Sequence, residues 1–339
     1  MVSTPMPSPT RPRAAPHPSP PRDPAPVGLR HALDRPEWSL PEKYQALRVL
    51  GVGGMGTVLL ARDRNLGRLV AVKVIRADNC RFLDTLRREA RLLSRLEHPG
   101  IVRVHELDVF EDHLYVAMEY LKGGCLSLAP LDPLAKIRAL RGVVDALGHA
   151  HERGIVHRDV KPANVLLRAQ PGSSRPSRED GAAQAVLTDF GLAFDARCRP
   201  DGPRPIVGTP LTMSPEQTRG EELGPSSDVF SFGVTLFREV TGEWPFRGRT
   251  ALDVLHAIQN EAPRTPSRPG LLDRGLTRVL ERCLAKAPEE RFASTRELGD
   301  ALDRYLWRRA ALERLGDALP WRRRAKTKPG PTIHPEDSQ

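Results

Sequence analysis

Ionisable and amide side chains crowd into His157-Arg158-Asp159-Val160-Lys161-Pro162-Ala163-Asn164, a run too polar for a core yet bounded by apolar sequence on both sides. Upstream, Ile137, Leu140, Val144, Leu147 and His151 recur at helical spacing; downstream, Val165-Leu166-Leu167 predicts a short strand. Loops held between packed elements are where catalytic groups concentrate. Taken alone, a His-Arg-Asp triplet is more often a polar surface turn. Here a second apolar run, Ala185-Val186-Leu187, leads into Asp189-Phe190-Gly191, so a second carboxylate stands at the end of a strand able to pair with the first.

In this order the two clusters resemble the HRDxKxxN and DFG segments of the protein kinases. The resemblance implies an α+β, two-lobed protein kinase fold over residues 44–306. Its small β-rich N-lobe, with the helix αC, would take residues 44–118, the hinge 119–122, and the larger, mainly α-helical C-lobe 123–306. Phosphoryl transfer asks for positioning and charge neutralisation rather than covalent help. By resemblance, Asp159 accepts the proton of the attacking hydroxyl, Lys161 meets the γ-phosphate of ATP, and Asn164 and Asp189 hold Mg²⁺ (or Mn²⁺). A lysine two residues after the aspartate resembles the Ser/Thr-specific branch.

The family's other pieces follow in sequence. Gly51-Val52-Gly53-Gly54-Met55-Gly56-Thr57-Val58 fits GxGxxGxV between the apolar runs Leu47 to Leu50 and Val58 to Leu60. Such glycines equally open a dinucleotide-binding unit, but here another strand follows, Leu69 to Ile75, and not a helix. It carries Ala71 and Lys73 in the V-A-x-K pattern, which implies that the glycine backbone lies over the phosphates and that Lys73 binds the α- and β-phosphates. Leu83, Leu86, Ala90, Leu93 and Leu96 form a helical stripe that includes Glu89. Its carboxylate pairs either with a neighbouring surface arginine or, by resemblance, with Lys73. Two strands between His98 and Met118 are expected to close the N-terminal sheet. Met118 is either core filler or, by resemblance, the gatekeeper beside a hinge, Glu119 to Leu121, whose backbone reads adenine, with Leu166 also on the ATP site.

Some segments depart from the family pattern. Gly123 to Pro133 is short, so the helix expected there is cut down or missing. Arg168 to Gln184 reads as an exposed insertion between two strands, with Ser173, Ser174 and Ser177 as candidate phosphorylation sites. Asp189 to Glu216 resembles an activation loop ending in Gly208-Thr209-Pro210 and Ser214-Pro215-Glu216, a variant of A-P-E. No Ser, Thr or Tyr lies between Leu192 and Gly208, so ordering of this loop is expected not to depend on its phosphorylation, and Thr212 stands where the family commonly has tyrosine. Asp228 opens a helix apolar on all sides that resembles the anchor of the catalytic loop, and Arg291 resembles the partner of Glu216.

Composition narrows the alternatives. The 339 residues suffice for two lobes, and the net charge of +10 is scattered arginine without an aromatic-interleaved basic face, so nucleic acid is not expected as a partner. Lysine is scarce, yet Lys73 and Lys161 both fall on motif positions. Four cysteines without a CxxC pair suggest neither zinc nor a disulfide framework and fit a reducing cytoplasm. The N-terminus lacks an apolar signal core, and the longest apolar stretch, around Val229 to Phe237, is too short to span a bilayer. Residues 1–41 are proline-rich and expected to be disordered: a solvated tail, or a weak ligand for a proline-reading partner through Pro9 and Pro12. Residues 307–339 read as a basic, Pro-containing C-terminal tail. Gly-Gly-Met-Gly and Met-Ser-Pro-Glu-Gln resemble the eukaryotic-like (Hanks-type) bacterial Ser/Thr protein kinases, which implies γ-phosphate transfer from ATP to Ser/Thr of protein substrates, itself included. The competing class is a kinase-like scaffold that binds ATP or partners and transfers nothing.

Overall fold

The computed structural model describes residues 40–53, 56–76, 96–111, 113–169, 184–190, 210–267 and 272–318. Gly54, Met55, Glu89 with residues 77–95 around it, Ser173, Ser174, Ser177, Thr209, nearly all of the N-terminal tail and the chain beyond 318 lie outside them.

Five antiparallel strands make the first sheet: β1 (Tyr44–Gly53), β2 (Gly56–Asp63), β3 (Arg68–Arg76), β4 (Val104–Phe110) and β5 (His113–Glu119), in the order β1-β2-β3-β5-β4. Period-two alternation sorts the side chains of β3. Val70, Val72 and Val74 pack with Tyr44, Leu59, Ala61, Tyr115 and Ala117 on the outer face, while Ala71 joins the main core on the other. The Glu106 carboxylate accepts hydrogen bonds from Tyr44 (2.6 Å), Tyr115 (2.8 Å) and Lys43 (2.5 Å), tying the start of β1 to β4 and β5 across the sheet. The segment from His98 to Val102 is a loop and not the strand its apolar run suggests; Ile101 bridges instead to Leu187 in the second lobe.

That second lobe is helical. Helix α1 (Pro133–His151) starts at Asp132, whose side chain accepts from Ala135 N, and buries Ile137, Leu140, Val144 and Leu147 as the spacing predicts. Between the sheet and α1 the chain makes only a single 3-10 turn, Leu126–Leu128, in line with a cut-down helix. Strands β6 (Val165–Arg168) and β7 (Gln184–Leu187) pair antiparallel, Val165 opposite Leu187. Then come α2 (Pro215–Arg219), α3 (Pro225–Thr241), α4 (Ala251–Asn260), α5 (Arg274–Cys283) and α6 (Thr295–Ala318). Helix α3 is buried along nearly its whole length and lies against α1 and α5, with Gly233 leaving room for Cys283 and Leu284. Helix α6 continues past Trp307, where the sequence suggests that a tail begins, because Ala310, Ala311 and Leu312 are strong helix formers and the next proline comes only at 320. No helix among the described residues is long and apolar enough to cross a membrane.

Candidate active site

The site is built on the loop between α1 and β6, and Asp228 of α3 holds that loop from beneath. Asp228 is fully buried and accepts the backbone N–H of His157 and of Arg158, both at 2.8 Å, and His151 Nε2 at 2.7 Å. A buried carboxylate is tolerable here because its acceptor sites are used. The grip holds Arg158 at φ 67°, a left-handed conformation rare outside glycine. His157, also fully buried, places Nε2 2.9 Å from the Thr188 carbonyl, and its Nδ1 accepts from Asp159 N at 3.2 Å. Burial lowers its pKa, outweighing the pull of Asp228, so the ring is neutral with the proton on Nε2. Its face packs on Phe190 with ring centroids 4.4 Å apart, and Thr188 N bonds the Asn164 carbonyl at 2.9 Å. The two motif clusters are thereby stitched into one surface.

On that surface, Lys161 Nζ (2.7 Å) and Asn164 Nδ2 (3.1 Å) both reach Asp159 Oδ2. Asp159 Oδ1 has no partner among the described residues, which leaves one carboxylate oxygen for an incoming hydroxyl. Asp189, with φ 62°, turns its carboxylate to Lys73 Nζ at 2.9 Å, and Lys73 is buried. The sequence suggests Glu89 as the lysine's partner; that residue lies outside the described residues, and among them the partner of Lys73 is Asp189. The side-chain oxygens of Asn164 and Asp189 that have no partner among the described residues are hard donors that suit Mg²⁺, and the neighbouring Lys73 suits a polyphosphate.

Val58, Ala71, Met118, Leu121 and Leu166 all belong to the main apolar core, which runs on into the helical lobe, and Leu50 of β1, which sequence reasoning did not single out, packs against it. Ala71 stands directly opposite Met118, and Val58 opposite Lys73. Thr57 is different. It pairs with Val74, which faces the outer cluster, so its side chain points away from the cleft and only its backbone can face a nucleotide. Gly51, Val52 and Gly53 form the exposed end of the β1–β2 hairpin. Glu119 spends its N–H on the Arg103 carbonyl (2.9 Å) and its side chain on Arg103 N (3.0 Å) and Arg168 (2.7 Å).

A model of the protein kinase domain matches residues 44–301. The chain is 33% identical over 266 residues to serine/threonine-protein kinase PrkC of Bacillus subtilis (strain 168), covering 76% of this chain and 39% of the relative. It is 37% identical over 276 residues to PknB of Mycobacterium tuberculosis (strain ATCC 25618 / H37Rv), covering 76% and 42%. To pkn2 of Myxococcus xanthus it is 35% identical over 274 residues, covering 77% and 32%. The chain thus spans less than half the length of these curated relatives.

Proposed function

Since the chain belongs to the protein kinase family, with the domain over residues 44–301, we propose that it transfers the γ-phosphoryl group of ATP to serine and threonine hydroxyls of proteins, itself included, in signal transduction. The observation that carries this reading is the state of Asp159: one oxygen held by Lys161 and Asn164, the other without a partner among the described residues. In this geometry Asp159 takes up the proton of the attacking hydroxyl and orients its oxygen, while Lys161 offers its charge to the phosphoryl group. Lys73 binds the α- and β-phosphates, and the apolar cluster around Ala71, Met118 and Leu166 takes adenine. Asn164 and Asp189 would hold Mg²⁺, which neutralises the charge developing on the phosphates. We place this chemistry in the cytoplasm, a reading supported by the free thiols Cys125 and Cys283.

The test is transfer from labelled ATP with Mg²⁺ to the protein itself and to a generic basic substrate, followed by mapping of the modified residues. Asp159→Asn keeps the shape and removes the base, so kcat is expected to fall about 10²–10⁴-fold, with label on Ser and Thr in the wild type. ATP binding without transfer by the wild type would overturn the catalytic reading in favour of a scaffold.

A further inference from the structure

We propose that Gln217 is a positioning residue that ties the segment entering α2 to the catalytic loop and sets the orientation of Asp159. The inference rests on reading Asp159 as the base. The peptide group that joins Arg158 to Asp159 is held at both ends: its N–H donates to His157 Nδ1 at 3.2 Å, and its carbonyl accepts from Gln217 Nε2 at 2.7 Å. Arg158 N is held in turn by Asp228 at 2.8 Å. Two of these three restraints come from the loop itself and from α3. The third comes from α2, which the chain enters from residues 210–214.

The rest of the Gln217 side chain is also committed. Its Oε1 accepts from Ser214 N at 2.9 Å, and its own N–H reaches Ser214 Oγ at 3.3 Å, a reciprocal cap on α2. That cap takes glutamate as readily as glutamine at its third position. An amide can accept from Ser214 with one end and donate to the Arg158 carbonyl with the other, whereas an ionised carboxylate can only accept. The carboxamide therefore does something in the catalytic loop that capping does not require. Arg158 in a left-handed conformation makes the contact consequential, because a released carbonyl lets the 158–159 peptide rotate and carries the Asp159 side chain with it.

Gln217→Glu separates the two roles, since it keeps the cap and loses the donated hydrogen bond. We expect kcat to fall about 10–100-fold, the KM for ATP to stay within about twofold, and the melting temperature to stay near that of wild type. A protonated glutamate can donate again, so the deficit relative to wild type shrinks as pH is lowered toward the carboxyl range. Ser214→Ala gives the reverse pattern, a lower melting temperature with kcat within about threefold of wild type. Gln217→Met, of similar length with neither contact, should match the kcat loss of the glutamate variant and serves if that variant does not fold. A Gln217→Glu kcat within twofold of wild type, or a Ser214→Ala loss as large as that of Gln217→Glu, overturns the proposal. Amide exchange reads the same contact without activity: residues 157–160 should exchange faster in Gln217→Glu, and unchanged protection overturns the tie. If the wild type transfers no phosphate, the catalytic reading fails while the exchange result still decides the tie.

Discussion

Arg291 spends all five of its N–H donors while almost wholly buried: two on the Glu216 carboxylate, at 2.7 and 2.9 Å, and one each on the carbonyls of Ala285, Ser226 and Lys286. Ser227 adds a further bond to Glu216 at 2.7 Å. Burial by itself would raise the Glu216 carboxyl above its ordinary 4.5; the bonds from Arg291 and Ser227 outweigh it and hold the pKa at about 2. A depressed carboxylate stabilises the fold above its unfolded pKa. Its contribution is therefore complete above 4.5 and drains away as pH falls from 4.5 toward 2, by about 3 kcal/mol in all. Chemical denaturation between pH 6 and 2.5 should show this acid limb in wild type and a flatter one in Glu216→Gln. Arg291→Ala, which strands the carboxylate, should cost about 3–5 kcal/mol at neutral pH. Both partners were legible in the sequence as a family pattern, but the three carbonyls that complete the guanidinium were not, because a backbone carbonyl carries no residue-type signature.

The β1–β2 hairpin shows that glycines of one motif have different reasons. A Cβ on Gly56 would sit 2.1 Å from the Val74 carbonyl, and its φ of 128° is closed to other residues, so this glycine is required by the sheet. At Gly51 and Gly53 a Cβ would meet nothing within 4 Å. Their smallness leaves room for something else, and the proposed occupant is the triphosphate. Gly56→Ala should destabilise the fold by at least about 1–3 kcal/mol through backbone strain alone. Gly51→Ala should leave unfolding unchanged and raise the KM for ATP severalfold. Equal effects of the two substitutions on stability would contradict this division. Among the helices, the apolar stripe of α1 and the all-round burial of α3 followed from periodicity, whereas the end of α6 did not, since arginine-rich sequence suits a helix and a tail equally well.

At the scale of the molecule, the proposed nucleotide site draws on both lobes: Val58, Ala71 and Lys73 from the sheet, Leu166, Asn164 and Asp189 from the loops and strands below it. A ligand that needs both lobes stabilises their joint arrangement, by about 2.7 kcal/mol when its concentration is one hundred times its Kd. Thermal unfolding should therefore shift upward with ATP and Mg²⁺ together. The shift should collapse on addition of EDTA and weaken in Asp189→Asn, whose fold is otherwise held by contacts elsewhere. An equal shift with ATP in EDTA would argue that Asn164 and Asp189 hold no metal with the nucleotide.

Which chemistry-bearing residues this protein has, and the order in which its elements follow, can be read from the chain alone. Lys73, Asp159, Lys161, Asn164 and Asp189 stand at spacings that strand and helix periods turn into one surface, and those periods are local properties of the chain. Which atoms of those residues are already engaged depends on how the folded chain packs. Asp228 reaches back 71 positions to His157, Glu216 reaches forward 75 to Arg291, and Gln217 reaches back 59 to Arg158. Hydrogen bonds over such separations depend on packing that brings distant segments within about 3 Å, and no local pattern of residue types records it.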